Sequence, residues 1–598
     1  MIKSLRKILL SVLTLTSFSL FAQVVDVPWT GTAGEFEAAV ANNGGVGEFR
    51  LEDGKTYLML DHVPVPENGV LKVMGSGSTD MHPATLQPSP NAEGAISLTD
   101  GQMFNLVGDN AELHLHHLIL NAMAVNEAGQ VGIAAARADQ NKIVVDYCTV
   151  SGVSSLAFHT MGTGTDFHIT NSTMTDWTSY PGGAFYGGAI WGGGSWMGTM
   201  DEVIIENNTF QGVVGECLVI YEYVDVGSRV NHNTFANISM GAFYYYTGNN
   251  LQIANNLFYN TRAYGQSTND VTGWGVVWPG GVGQLESRMK TLGTSEVDGD
   301  GNPTGLYTMG DGQVVDMNNR NVYWRDNVVT WSPALIDWVN SLAGPENSWE
   351  WVTTTTDSNG VETSVTTRDT MFSVAVQARV HSDTAIAAVT AGVGINSTRN
   401  VLLSAESLGS NIDENYIINQ LARTLDFRDN QSTDGVGANH EWVFQNDGNH
   451  AVVEWPLHLD VSYSTTCNAY THSTQGFPVG NLHAFPDKFA EWQTLATEDD
   501  NSTLEPSSFS LKQNYPNPFN PSTEISFSLE ANSNIELAIF NVIGQKVRVL
   551  ENGSRLAGTH TIKWDGRDQL GNAMPTGLYF YTLTDGANSI TKKMALMK

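Results

Sequence analysis

The sequence predicts an all-β chain in two parts, a solenoid of short strands over residues 23–500 and a small β-sandwich over 505–598. Three observations predict it: 59 glycines against only 15% charged residues, a polar turn motif that recurs through the middle of the chain, and alternating strands separated by Gly and Asn turns at the end. A chain of 598 residues exceeds the size at which a single core stops growing, so two or more domains are expected. At 41% hydrophobic residues there is enough apolar material to bury, which excludes a wholly disordered chain.

The first segment is an address. Lys3, Arg6 and Lys7 precede an apolar run from Ile8 to Leu20, and Ala22 supplies a small residue before Gln23. That order is the one found in secretory signal peptides, and the run is too short to favour a bilayer span. Residues 1–22 are therefore expected to be removed, and no transmembrane helix is expected in the remainder. Three cysteines, Cys148, Cys217 and Cys467, give an exported protein no disulfide framework.

The repeat occupies the middle. Six segments share one frame, from Val145-Asp-Tyr-Cys-Thr149-Val150 through Ile169-Thr-Asn-Ser-Thr173, Ile205-Glu-Asn-Asn-Thr209, Val230-Asn-His-Asn-Thr234 and Ile253-Ala-Asn-Asn-Leu257 to Trp324-Arg-Asp-Asn-Val328. Counted at the fifth position, the intervals are 24, 36, 25, 23 and 71 residues. Most fit one coil of a solenoid, while the last holds either about three coils of 20–30 residues or one coil with a large insertion. Apolar positions flank a polar turn, so short strands share an interior while the chain bends between them. Asn208, Asn233, Asn256 and Asn327 recur at one station, where amides stacked coil on coil satisfy one another.

These Asn-Asn-Thr-Phe, Asn-Thr-Phe and Asn-Asn-Leu-Phe turns, at residues 207–210, 233–235 and 255–258, resemble those of the right-handed parallel β-helix proteins of the pectate-lyase-like superfamily. Phe36 to Tyr57 resembles the capping helix and first strand with which such β-helices begin, and residues 440–495, including Phe477-Pro-Val-Gly-Asn481, resemble a closing segment. The resemblance spans residues 24 to about 345. Between the two stretches lies a less regular region with a hairpin-like piece from Thr353 to Thr367.

The last segment reads Asn514-Tyr-Pro-Asn-Pro-Phe-Asn-Pro-Ser-Thr523, then Ile535-Glu-Leu-Ala-Ile-Phe540, Gly558-Thr-His-Thr-Ile-Lys-Trp564, Gly577-Leu-Tyr-Phe-Tyr581 and Lys592-Lys-Met-Ala-Leu-Met-Lys598. Alternating apolar strands over about 90 residues argue for a small immunoglobulin-like β-sandwich. Residues 505–598 also resemble the C-terminal sorting domain of the type IX secretion system of Gram-negative bacteria. That resemblance implies the secretion machinery as a partner, export through periplasm and outer membrane, and release or attachment at the cell surface. The other reading is an ordinary immunoglobulin-like binding domain.

Chemistry is less legible. β-Helix lyases remove the proton α to a uronate carboxylate, which takes a base and a cation such as Ca²⁺, Arg or Lys. The strands after the asparagine turns carry Phe158-His159-Thr160, Ile220-Tyr221-Glu222-Tyr223 and Phe243-Tyr244-Tyr245-Tyr246. Stacked, they put His159, Tyr221 and Tyr245 on one outer face, with Arg262 one coil further as the fourth catalytic candidate. The same rings also suit packing beneath a long loop. Glu222, Tyr264, Trp191, Trp196 and Trp274 are candidates for substrate binding, since planar rings on a glycine-rich backbone can stack on a sugar, or simply cap coils. Asp298-Gly-Asp-Gly-Asn302 resembles a calcium loop but has Pro303 and Met309 where the glycine and bidentate acid belong, so a tight turn fits better. His114 and His116 share a strand face without a third metal ligand at hand.

The family's own catalytic signatures are missing, so no role carries over. The balance of 29 Lys+Arg against 62 Asp+Glu, net −33, repels phosphate backbones and excludes nucleic acid as a natural partner. It also means that a densely anionic glycan needs a bridging cation, for which Ca²⁺ is the candidate. The expectation is a secreted or surface-attached monomer acting on polysaccharide, either as a lyase on uronate-containing glycans or as a non-catalytic glycan-binding or structural β-helix.

Overall fold

The computed structural model of the chain describes most of residues 24–261, parts of 306–418, most of 453–498 and most of 510–597. Residues 1–22, the expected signal peptide, lie outside the described residues. The architecture is all-β, a parallel β-helix followed by an antiparallel immunoglobulin-like domain.

Three parallel sheets form the cylinder, with eleven, ten and seven strands among the described residues. A typical coil gives one strand to each, as Lys142–Asp146, Thr149–Ser151 and Leu156–Thr160 do. The near end is plugged by the helix Glu35–Asn42, whose buried Phe36 meets Phe49 and Phe104 edge-on at 6.5 and 6.3 Å. Inside, Phe210, Phe235, Phe258 and Trp324 stack in turn, with ring centroids 4.8, 5.1 and 5.5 Å apart. Such offset piling of planar rings fills a uniform cross-section and repeats with the strand spacing.

The corner between the eleven- and ten-stranded sheets has only one or two residues, and the first takes a left-handed backbone conformation. His117, Tyr147, Asn171, Asn207, His232, Asn255, Asp326 and Arg399 all do so, with φ between 52° and 58°. The second corner residue carries the ladder. Asn208 donates to Asn233 Oδ1, Asn233 to Asn256, Asn256 to Asn327 and Asn327 to Asn400, each at 3.0 Å. The other amide proton of each goes to a backbone carbonyl one coil back, as from Asn233 Nδ2 to Ile205 O at 2.8 Å. Ser172 and Cys148 continue the column, Ser172 N donating to Asn208 Oδ1 and Cys148 N to Ser172 Oγ.

The 71-residue interval contains one coil with an insertion, because strand Leu251–Ala254 pairs directly with Val322–Arg325 and Leu257–Thr261 with Val328–Thr330. A further excursion returns to Ile395–Thr398, which pairs with Val322–Arg325, and Asn400 joins the ladder there. Within that excursion, Ser348–Thr356 and Glu362–Thr370 form an antiparallel hairpin, longer at both ends than the Thr353–Thr367 stretch suggests.

Residues 472–493 do not add rungs at the far end. They run back along the two-residue corner as a strap. Arg399 donates to His472 O, Gly480 N to Asn255 O, Asn481 Nδ2 to Thr209 Oγ1 and Gln493 to the Tyr147 hydroxyl. Between these, His483 lies 3.2 Å from Asn171 Oδ1, and Trp492 sits edge-on to His232. Gly480, at φ 89°, is pressed so closely on the coil that a Cβ there would meet Thr234 Oγ1 at 2.7 Å. Leu408, Ile412, Val461, Tyr463 and Phe485 bury Ala236, Leu257, Tyr259 and Val328, covering the outside of the ten-stranded sheet over its later coils.

In the C-terminal domain a three-stranded and a four-stranded antiparallel sheet enclose Phe527, Leu537, Trp564, Tyr581 and Met594. Asn514, which opens the Asn-Tyr-Pro-Asn-Pro run, is buried; its N–H donates to the Tyr581 hydroxyl and its amide to Thr523.

Candidate functional site

With the later coils of the ten-stranded sheet covered, the other two outer faces of the cylinder carry the comparison. On the seven-stranded sheet, parallel register aligns Asn105, Ala135, His159, Trp191, Val219 and Tyr244 in one column. Tyr245 is displaced from that column. It pairs with Ile220, in the row of Gly192, and successive strand positions point to opposite sides of a sheet. In backbone register, Tyr244 rather than the expected Tyr245 stands level with His159. Tyr221, Glu222, Arg262, Tyr264, Trp196 and Trp274 lie outside the described residues.

His159 itself is 6% exposed, and its Nδ1 has no hydrogen-bond partner. Burial, reinforced by the nearby Arg137 guanidinium, lowers its pKa to about 4, so the ring is neutral at pH 7. Arg137 donates from Nε to Asn105 Oδ1 at 2.7 Å. Trp191, its neighbour in the column, is 7% exposed. A neutral imidazole beside a cation has the elements of proton abstraction, but both ring systems are largely shielded from a polymer.

The eleven-stranded sheet is different in kind. Its inward positions are apolar and fully buried, for example Leu113, Leu115, Ile143, Val145, Phe167 and Ile169. Its outward positions carry charge in register. One column runs Lys72, His114, Val144, His168, Ile204, Arg229, Gln252 and Tyr323, and the next runs Met74, His116, Asp146, Thr170, Glu206 and Asn231. Neighbouring groups bond across strands. Asp146 accepts from Thr170 at 2.7 Å and from Asn171 at 2.8 Å, and pairs with His116 at 3.7 Å. Burial alone would raise the Asp146 carboxyl, yet these donors hold it below the usual carboxylate range. Glu206, buried, binds Arg229 at 3.1 Å and Asn231 at 2.6 Å, and that pairing likewise outweighs burial to keep it charged. His114 bonds Glu112 at 2.9 Å and stacks on His116, while burial lowers its pKa.

Sequence reasoning identified His114 and His116 as sharing a face, but not that the face continues through Asp146, Asp166, His168, Glu202 and Arg229. The available signal was alternation, Glu112-x-His114-x-His116 and Asp166-x-His168, in strands whose intervening residues are apolar. Among the described residues, one group brings three metal-donor side chains within 4.8 Å of one another, Asp166, His168 and Glu202. No helix of the described residues is long and apolar enough to cross a membrane.

Comparison with known proteins agrees with the architecture. The family model of the right-handed β-helix region matches residues 116–273, and that of the FlgD Ig-like domain matches residues 515–589. No curated protein matches the chain. Among solved structures, FlgD from P. aeruginosa is 27% identical over 12% of this chain and 57% of its own, with a TM-score of 0.11. PorZ of Porphyromonas gingivalis, described as an essential bacterial surface component of the type IX secretion system, is 23% identical over 16% of this chain and 12% of its own, with a TM-score of 0.12. The chain thus spans little more than half of the first structure and about an eighth of the second, and likenesses this small carry no weight for activity. The chain is thus a parallel β-helix, similar over residues 116–273 to the right-handed β-helix region, followed by an immunoglobulin-like domain similar over 515–589 to that of FlgD.

Proposed function

We propose that the protein is exported by the type IX route and, at or beyond the cell surface, binds a polysaccharide lengthwise along the outer face of the eleven-stranded sheet. The observation that carries this is the registered polar face itself. Side chains with donors and acceptors recur at the strand spacing of about 4.8 Å, an extended array suited to an extended hydroxyl-rich polymer. The export half of the proposal rests on the resemblance of residues 505–598 to sorting domains and on the charge-hydrophobe-small order of residues 1–22.

The test is affinity electrophoresis of the chain lacking residues 1–22 through gels containing pectate, alginate, chondroitin sulfate or neutral glucans. Retardation by at least one polymer is expected, and Lys72→Ala with His114→Ala should weaken it. Migration unaffected by every polymer, or retardation that the double variant leaves intact, would overturn the assignment.

A second reading, a lyase, is favoured by His159, a neutral buried imidazole with an unpartnered nitrogen beside Arg137. In β-elimination the base takes the proton α to the uronate carboxylate, the carbon–oxygen bond to the leaving sugar breaks, and that oxygen gains a proton. Absorbance growth near 235 nm on a uronate polymer, lost in His159→Ala, would support it. A flat trace with and without Ca²⁺ would remove it and leave the binding proposal standing.

A further inference from the structure

Asp166 and His168 are two residues apart on strand Thr165–Thr170, so both side chains leave the same face of the sheet. The adjacent strand Met200–Glu206 is out of step there. Thr165 pairs with Met200 but Phe167 pairs with Val203, so Asp201 and Glu202 together oppose the single residue Asp166. A bulge of this kind re-aims a side chain, and it sets Glu202 beside the histidine, with Oε2 2.5 Å from His168 Nε2. One donor atom from each of Asp166, His168 and Glu202 lies within 4.8 Å of the other two. Ligand atoms held at about 2.1 Å from one tetrahedral ion stand about 3.4 Å apart, so the His168–Glu202 pair would open and the wider separations would close, both by small side-chain rotations.

We propose that Asp166, His168 and Glu202 form a binding site for a divalent transition-metal ion, Zn²⁺ foremost, with the remaining coordination open to water or an external ligand. Three carboxylates, Asp166, Asp201 and Glu202, crowd this spot. The imidazole nitrogen and the small number of ligands select against Ca²⁺ and Mg²⁺, which take six or more oxygens. His168 and Glu202 are 20% and 29% exposed, which leaves a path for the ion. Lys142 stands opposite Asp166 on the strand to one side, and Asp201 and Glu202 oppose it on the strand to the other.

The metal site stands apart from the glycan proposal, and its test uses neither sugar nor activity. The full chain, without a histidine tag and stripped with chelator, is titrated with ZnCl₂ by calorimetry at pH 7.5, and separately with Co²⁺ while visible absorbance is followed. A tight Zn²⁺ site is expected, with Co²⁺ giving the d–d bands of a low-coordinate nitrogen–oxygen site. His168→Ala should weaken binding by at least about 100-fold, beyond the 10- to 100-fold that loss of an outer partner of a metal ligand costs. The near-isosteric Asp166→Asn keeps the fold testable should His168→Ala lose it, and should also weaken binding. His114→Ala should bind as the wild type does. No Zn²⁺ binding by the parent chain, or undiminished binding in both Asp166→Asn and a folded His168→Ala, would overturn the site, as would equal loss in His114→Ala.

Discussion

Asn233 uses its whole amide. Its Oδ1 accepts from the backbone and the side chain of Asn208, and its Nδ2 donates to Asn256 Oδ1 and Ile205 O. Asn233→Ala therefore leaves several buried groups unsatisfied and is expected to cost about 1–3 kcal/mol, read as a shift in urea midpoint at unchanged slope. A midpoint equal to the parent's would mean that water replaces the amide. The ladder asparagines were legible because one residue type recurs in one local frame. The left-handed position before them was not, since His117, Tyr147, His232 and Arg399 fill it as well as Asn. The seven-stranded face failed for a related reason. Tyr244-Tyr245-Tyr246 offers three equivalent residues to a register that only pairing can fix. Glu202 escaped notice because the bulge that aims it leaves no compositional trace.

At the scale of elements, the strap is the part whose hold depends on protonation. Burial lowers the pKa of His483, which packs on the corner from the strap, and of His232, which receives it, to about 4 each. An unfolded chain titrates its histidines near 6.5, so it takes up protons before the folded one as the solution acidifies. The stabilising contribution of these neutral rings is thus complete above about pH 6.5 and is lost as pH falls through about 4. Hydrogen exchange should accordingly quicken in residues 472–493 between pH 6.5 and 4, after correction for intrinsic rates. His483→Gln should flatten that dependence, and a parent strap that keeps its protection at pH 4.5 would contradict the assignment. The sequence suggested a closing segment in residues 440–495, but not that residues 472–493 run back along the cylinder. The contacts depend on tertiary proximity, such as Asn481 to Thr209 across 272 residues.

For the molecule as a whole, three apolar clusters are evident among the described residues: one fills the cylinder from Val27 to Val329, a second packs outside its ten-stranded sheet, and a third lies within the C-terminal sandwich and shares no residue with the other two. Calorimetry is expected to resolve two unfolding transitions. A shortened chain ending at residue 500 should retain the β-helix transition at its original temperature. Loss of that transition on truncation would show that the cylinder needs its neighbour. The global fold was readable because its two signals, the turn repeat and the terminal strand alternation, are local and periodic. The registered polar face was not, because its residues come from strands that no single window contains.

The two long excursions of the cylinder end where they began. After 71 residues the chain resumes pairing with the rung it left, and after another 73 it does so again. Height along the axis is therefore set by corners counted, not by contour length spent. Such a scaffold can acquire or shed whole decorations between rungs while every group on the polar flank keeps its position relative to the next, so novelty at the periphery need not disturb what the flank holds.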